Sequence, residues 1–132
     1  MKLFENFYKI INQDISDEKA EFRVALNAEN FIYKSHFPNN PITPGVFLFQ
    51  IIVELFGVVQ GKNFEIKMLK SIKFTAPLSP VEFPEVDFLL SFTKNENFWQ
   101  VKAIVKENET VFAKISLTLC HECTNKTQIF NS

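Results

Sequence analysis

Apolar and polar residues alternate with period two along much of this chain, the pattern of strands that bury one face. Ala20, Phe22, Val24 and Leu26 alternate with charged or small residues. Phe64, Ile66 and Met68 repeat the pattern, and Ile72, Phe74 and Ala76 resume it after Lys70, where a bulge is expected. Val86, Phe88, Leu90 and Phe92 form the next run, followed by Trp99, Val101, Ala103 and Val105, then by Val111, Ala113, Ile115, Leu117 and Leu119. Short polar turns, Lys94-Asn95-Glu96-Asn97 and Glu107-Asn108-Glu109, join the last three runs into an antiparallel meander. One segment breaks the alternation. From Pro44 to about Gln60 the chain is apolar nearly all round, too long for an ordinary strand, and so predicts a buried helix. Thr43 is placed to cap it, Pro44 suits its first position and Gly61 its end. An all-apolar helix needs a wrapper, and a curved antiparallel sheet is one. The expected fold is α+β, a single long helix inside a sheet of about five to seven strands.

Composition narrows the class. The 132 residues are 46% hydrophobic and carry a net charge of −1, which excludes a disordered chain and disfavours a basic nucleic-acid binder. Arg23 is the only arginine, so arginine phosphate clamps are not expected. The sixteen phenylalanines supply a core or part of a subunit interface. No signal peptide is read at the start, and the apolar stretch falls short of the ~20 residues that span a bilayer. The expectation is a cytoplasmic protein with a single domain over residues 1–121 and a polar tail over 122–132.

Two polar side chains interrupt the apolar helix. Gln50 and Glu54 are one turn apart on one face, about 6 Å along the axis. Two readings stand side by side: a polar pair satisfied by backbone or a neighbouring subunit, or a site opening onto that face. Just before the helix, Pro38, Pro41 and Pro44 stiffen the loop Ser35–Gly45. Gly45 lies in the first helical turn, where unpaired N–H groups and the helix dipole favour an oxyanion, and its missing Cβ leaves room for a ligand carbonyl. His36 precedes this point and titrates near neutrality, as a general base must; the bland alternative is a solvated loop histidine.

The stretch His36-Phe37-Pro38-x-x-Pro41-x-x-Pro44-Gly45-Val46 resembles the signature of the 3-hydroxyacyl-acyl carrier protein dehydratases of fatty-acid synthesis. Phe74-Thr75-Ala76-Pro77-Leu78-Ser79-Pro80 is similar to that family's second signature, and the resemblance runs from about Phe7 to His121. It implies the hotdog fold, a long helix wrapped by a curved antiparallel sheet. It implies that His36 removes the α-proton of a 3-hydroxyacyl thioester and that the Gly45 N–H, with Pro44 and Val46 beside it, binds the thioester carbonyl. The family's acid lies fourteen residues after its histidine, which is Gln50 here, and an amide cannot donate a proton as a carboxylic acid does. Many members carry Gln four residues later, where this chain has Glu54, so the pair is exchanged. Either Glu54 supplies the proton with Gln50 holding the substrate hydroxyl, or the site binds acyl groups without dehydrating them.

The resemblance also implies a homodimer with sites at the subunit interface, or a heterodimer with a paralogue. It implies no metal and no cofactor beyond the phosphopantetheine arm of an acyl carrier protein or coenzyme A that carries the acyl group. Two alternatives to dehydration are a non-catalytic acyl-binding subunit and a hotdog thioesterase with Glu54 activating water. Cys120 and Cys123 have zinc-type spacing without a second ligand pair, and read as a strand end running into the tail. Lys62, Lys67, Lys70 and Lys73 form either a solvated face or a dock for an acidic carrier protein. Phe47 and Phe49 read first as core and second as the lining of an acyl tunnel.

Overall fold

The computed structural model describes residues 2–35 and 39–121. Six strands form one antiparallel sheet: β1 (Tyr8–Ile15), β2 (Lys19–Leu26), β3 (Glu65–Phe74), β4 (Glu85–Asn95), β5 (Phe98–Glu107) and β6 (Thr110–Cys120). Their order across the sheet is β1-β2-β4-β5-β6-β3. The short helix α1 (Phe31–Ser35) and the long helix α2 (Gly45–Gln60) fall between β2 and β3. The chain therefore crosses from one side of the sheet to its far edge by way of α2. This is the helix-in-sheet architecture that the strand periodicity and the mostly apolar helix predict, and the hotdog fold that the resemblance implies.

The periodicity explains the packing. Phe22, Val24, Val86, Phe88, Val101, Val105 and Leu117 point inward and are fully buried. They meet Ile51, Ile52, Leu55 and Phe56 of α2, also fully buried. Each such aliphatic or aromatic side chain contributes about 1.5–3 kcal/mol by leaving water. At the C-terminal end of α2, Phe56 contacts Phe64, Phe92 and Trp99, with ring centroids 4.7–5.2 Å apart. The bulge expected near Lys70 is present, as two register shifts in β3, at Ile66/Met68 and at Leu69/Ser71.

Several boundaries differ from expectation. Thr43 does not cap α2. Its hydroxyl pairs with the Tyr33 hydroxyl at 2.8 Å and is buried, because the loop before α2 is pinned to α1 and to the Leu78 carbonyl, which accepts from the Thr43 N–H at 2.8 Å. The N-cap is Pro44, in extended conformation and with no side-chain cap. Gly61 does end the helix, at φ 72°, its N–H donating to the Gly57 carbonyl. Two elements give no periodic signal. In β1 a bulge at Ile10/Asn12 and an exposed second half erase the alternation. In α1, five residues are too few to show a helical period, and Asn30 starts it by accepting the Ile32 N–H at 2.9 Å. Nor is α2 wrapped on all sides. Val46, Gln50, Glu54 and Val58, spaced by four, form a stripe that the sheet leaves open, with Val46 61% and Val58 45% exposed.

Candidate active site

The open stripe of α2 carries the polar pair. Glu54 is the better held of the two. Its Oε2 accepts the Leu3 N–H and the Gln50 side-chain N–H, both at 2.8 Å. Its Oε1 accepts the Phe4 N–H and the Tyr8 hydroxyl, both at 3.0 Å. Four donors on two oxygens satisfy a half-buried carboxylate, at about 1.5–3 kcal/mol for each bond to a charged group. The polar pair thus receives the structural explanation first: Glu54 fastens the N-terminal segment, where Leu3 and Phe7 are buried, onto the central helix. Tyr8 is itself buried, and that burial, reinforced by the adjacent Glu54 carboxylate, raises its phenol pKa far above the usual tyrosine value.

This geometry fixes the Gln50 amide. Its N–H points at Glu54 Oε2, so the amide nitrogen lies on the Glu54 side. The exchanged pair is one unit, in which the carboxylate orients the amide. Sequence alone missed the donors that complete the unit, Tyr8 and the Leu3 and Phe4 backbone, which lie 46 to 51 residues from Glu54. The aromatic spacing of Phe4, Phe7 and Tyr8 is the one local hint. A groove of about 860 Å³ opens beside the unit, with Phe4, Tyr8, Gln50, Glu54 and Phe64 among its walls.

About 7.5 Å along the axis from Gln50, by helical rise, the N-terminus of α2 begins. The Phe47 N–H turns back to the Pro44 carbonyl at 3.0 Å, while Gly45 and Val46 provide the first N–H groups, with no intrahelical acceptor. The missing Cβ of Gly45 serves a purpose here besides the one expected. A Cβ on it would meet the Phe74 ring tip at 2.5 Å, so glycine makes room for an aromatic side chain of β3. Phe74 in turn lies over Phe49, at 6.3 Å between centroids. A smaller depression of about 360 Å³, walled by Thr43, Gly45, Phe74 and Leu78, adjoins this end. The two sequence signatures are therefore neighbours in space: Phe74 of the second covers Gly45 of the first. Phe47 is core, packed edge-on against Phe7 at 5.0 Å.

The remaining candidates separate. His36, with Phe37 and Pro38, lies outside the described residues, as do Cys123 and the tail 122–132. Cys120 is buried at the end of β6. Of the lysines of β3, Lys67 lies over the Phe98 ring at 5.8 Å and Lys73 is paired with Lys114.

Comparison with known proteins agrees with this fold. The family model described as ApeI-like, ApeI dehydratase, matches residues 12–116. A 3-hydroxyacyl-[acyl-carrier-protein] dehydratase, FabZ, of Lactobacillus helveticus is 26% identical, over 89% of this chain and 87% of its own. The FabZ of Fusobacterium nucleatum is 29% identical, over 76% and 72%. Among solved structures, the dehydratase heterocomplex ApeI:P of Xenorhabdus doucetiae superposes with a TM-score of 0.62 at 17% identity, covering 85% of this chain and 96% of that one. A thioesterase of Haemophilus influenzae superposes at 0.55 and 13% identity, covering 86% and 78%. With a hotdog sheet, two adjoining dehydratase signatures and a family match over most of its length, the chain belongs to the ApeI-like dehydratase family.

Proposed function

We propose that this protein eliminates water from a 3-hydroxyacyl thioester to give the trans-2-enoyl thioester. The acyl group arrives on the phosphopantetheine arm of an acyl carrier protein or of coenzyme A, in the cytoplasm, with no further cofactor. The supporting observation is the junction of the two signatures at the N-terminus of α2, where Gly45 and Val46 offer N–H groups without intrahelical acceptors. A thioester carbonyl seated there gains most as negative charge grows on its oxygen, so the donors favour the enolate over the ground state.

In this reading His36 takes the α-proton and Gly45 stabilises the enolate, with Pro44 and Val46 shaping the carbonyl seat. Gln50, oriented by Glu54, holds the 3-hydroxyl. The C–O bond then breaks, and the proton on the His36 imidazolium goes to the departing hydroxide, so one histidine serves as base and then as acid. Glu54 is not assigned as the acid. Both its oxygens already accept two hydrogen bonds, and releasing a proton from that position would first require dismantling them. The same occupancy speaks against Glu54 as the water-activating base of a thioesterase.

Loss of a positioned general acid costs about 10²–10⁴ in rate. The reading therefore expects slow dehydration by the wild-type chain, and a rise of at least tenfold in kcat for Gln50→Glu. Enoyl formation, followed by the ultraviolet absorbance of the conjugated thioester, checks both. A Gln50→Glu rate equal to or below wild type counts against Gln50 as the occupant of the acid's position.

The subunits assemble through β3. It is an edge strand with Met68, Leu69 and Phe74 about half exposed, and it borders the open stripe of α2. A second copy paired on this edge covers both and brings two sites together. A second reading is favoured by the missing acid: the partner is a paralogue with a carboxylic acid in place of Gln50, and this chain contributes His36 and Gly45 to a shared site. Activity that appears only on mixing the two chains distinguishes it from the first.

A further inference from the structure

The sheet face turned away from α2 is zoned by charge. At one end Arg23 of β2 gathers three carboxylates: Glu85 and Asp87 of β4 at 3.3 and 3.2 Å, and Glu107 of β5, whose Oε2 accepts at 2.9 Å. Hydrogen bonding to Arg23 holds the Glu107 carboxyl below its ordinary pKa. Toward the other end the order is reversed. One row across five strands reads Lys19, Ser91, Lys102, Ser116 and Ser71. The next reads Glu21, Leu89, Ile104, Lys114 and Lys73.

This second zone is costly as it stands. Lys73 and Lys114 are directly opposed on neighbouring strands, and Lys102 is diagonal to Lys114; like charges so placed repel. Among the described residues none of these four lysines forms an ion pair. Of the carboxylates on this face, Glu85, Asp87 and Glu107 are held by Arg23, while Glu21 and Asp14 oppose each other on β2 and β1, separated by β4 from the lysines of β5, β6 and β3. The three serines are short between long lysines, and the zone forms an open depression of about 780 Å³.

We propose that this depression docks a protein through an acidic amphipathic helix. Five strands at the usual spacing span about 19 Å, the length of a helix of roughly 13 residues. Lys102, Lys114 and Lys73 stand on adjacent strands about 4.8 Å apart, within side-chain reach of helix carboxylates at i and i+4 that recur about every 6 Å, while half-buried Leu89 and Ile104 meet the helix's apolar flank. A single phosphate reaches two of the lysines at most. The two rows hold no arginine to fork onto phosphates, no aromatic ring on which a base stacks and no apolar wedge to enter a bilayer. The surface lies across the sheet from α2 and is independent of the chemistry proposed there.

The test uses the full chain, ¹⁵N-labelled, titrated at physiological salt with a synthetic 20-residue helical peptide carrying Glu at every fourth position and Leu on the adjoining face. Amide shifts are expected at Lys73, Ser91, Lys102, Lys114 and Ser116. K102S/K114S is expected to weaken binding about tenfold and flatten its salt dependence, with Lys9→Ser on β1 leaving it unchanged. Should the serine pair impair folding, K102Q/K114Q carries the same expectation. Equal affinity in the lysine variants, shifts confined to another surface, or stronger binding of tripolyphosphate, duplex DNA or anionic phosphatidylglycerol vesicles at these residues overturns the proposal.

Discussion

Glu54 shows how much a single residue's meaning depends on partners that sequence does not bring near it. Its spacing from Gln50 was legible, and so was the exchange relative to the dehydratase pattern. What the carboxylate does was not, because two of its four donors are backbone N–H groups at Leu3 and Phe4, which carry no side-chain signature. As a fastening, Glu54 is expected to matter for stability whether or not substrate is present. Glu54→Gln turns one acceptor oxygen into a donor facing other donors, and is predicted to destabilise the fold by about 2 kcal/mol. Tyr8→Phe is predicted to cost about 1 kcal/mol, and the double variant less than the sum, because the two residues share one bond. Denaturant unfolding of the three variants checks this. A stable Glu54→Gln protein that has lost only turnover would return Glu54 to the role of acid.

At the scale of elements, the strands that bury one face over their whole length were legible, and so was the helix whose two ends are marked by proline and glycine. The elements missed are those whose burial is set by tertiary contacts: β1, which buries Tyr8 but exposes its second half, and α1, whose Tyr33 is buried against the loop before α2. These elements hold the two tyrosines of the chain, and both phenols are perturbed in the same direction. Burial pushes Tyr33 up to about 12, partly offset by its bond to Thr43, and burial beside Glu54 pushes Tyr8 higher still. A folded-state pKa above the unfolded value of about 10 means that the contribution to stability is complete below pH 10 and is lost as pH rises beyond it. Tyrosinate absorbance at 295 nm is therefore predicted to stay near zero through pH 10–11 in the folded chain, and then to appear together with loss of the far-ultraviolet signal. Ionisation of either tyrosine near pH 10 in an intact fold would contradict the placement of β1 or α1.

For the whole molecule, the sheet, its contents and the family were legible, because they rest on periodicity and on two local motifs. The openness of α2 was not. Apart from Gln50 and Glu54 its residues are apolar nearly all round, and only the six-strand layout shows that the stripe through Val46 and Val58 is left to be covered by something else. Pairing of β3 with a second chain is the proposed cover. Leu69, 48% exposed on that strand, is the place to interrupt it. Leu69→Lys is predicted to shift sedimentation from twice 15.3 kDa to the single-chain mass with the strand content retained; a wild-type monomer would remove the interface from the account. The proposed dehydration, with His36 as base and Gly45 as carbonyl donor, is tested most directly by enoyl formation from a 3-hydroxyacyl thioester by the purified chain, with His36→Ala beside it. Slow turnover that disappears in His36→Ala is the predicted result. Turnover that survives the substitution, or release of free thiol without any enoyl product, would contradict it.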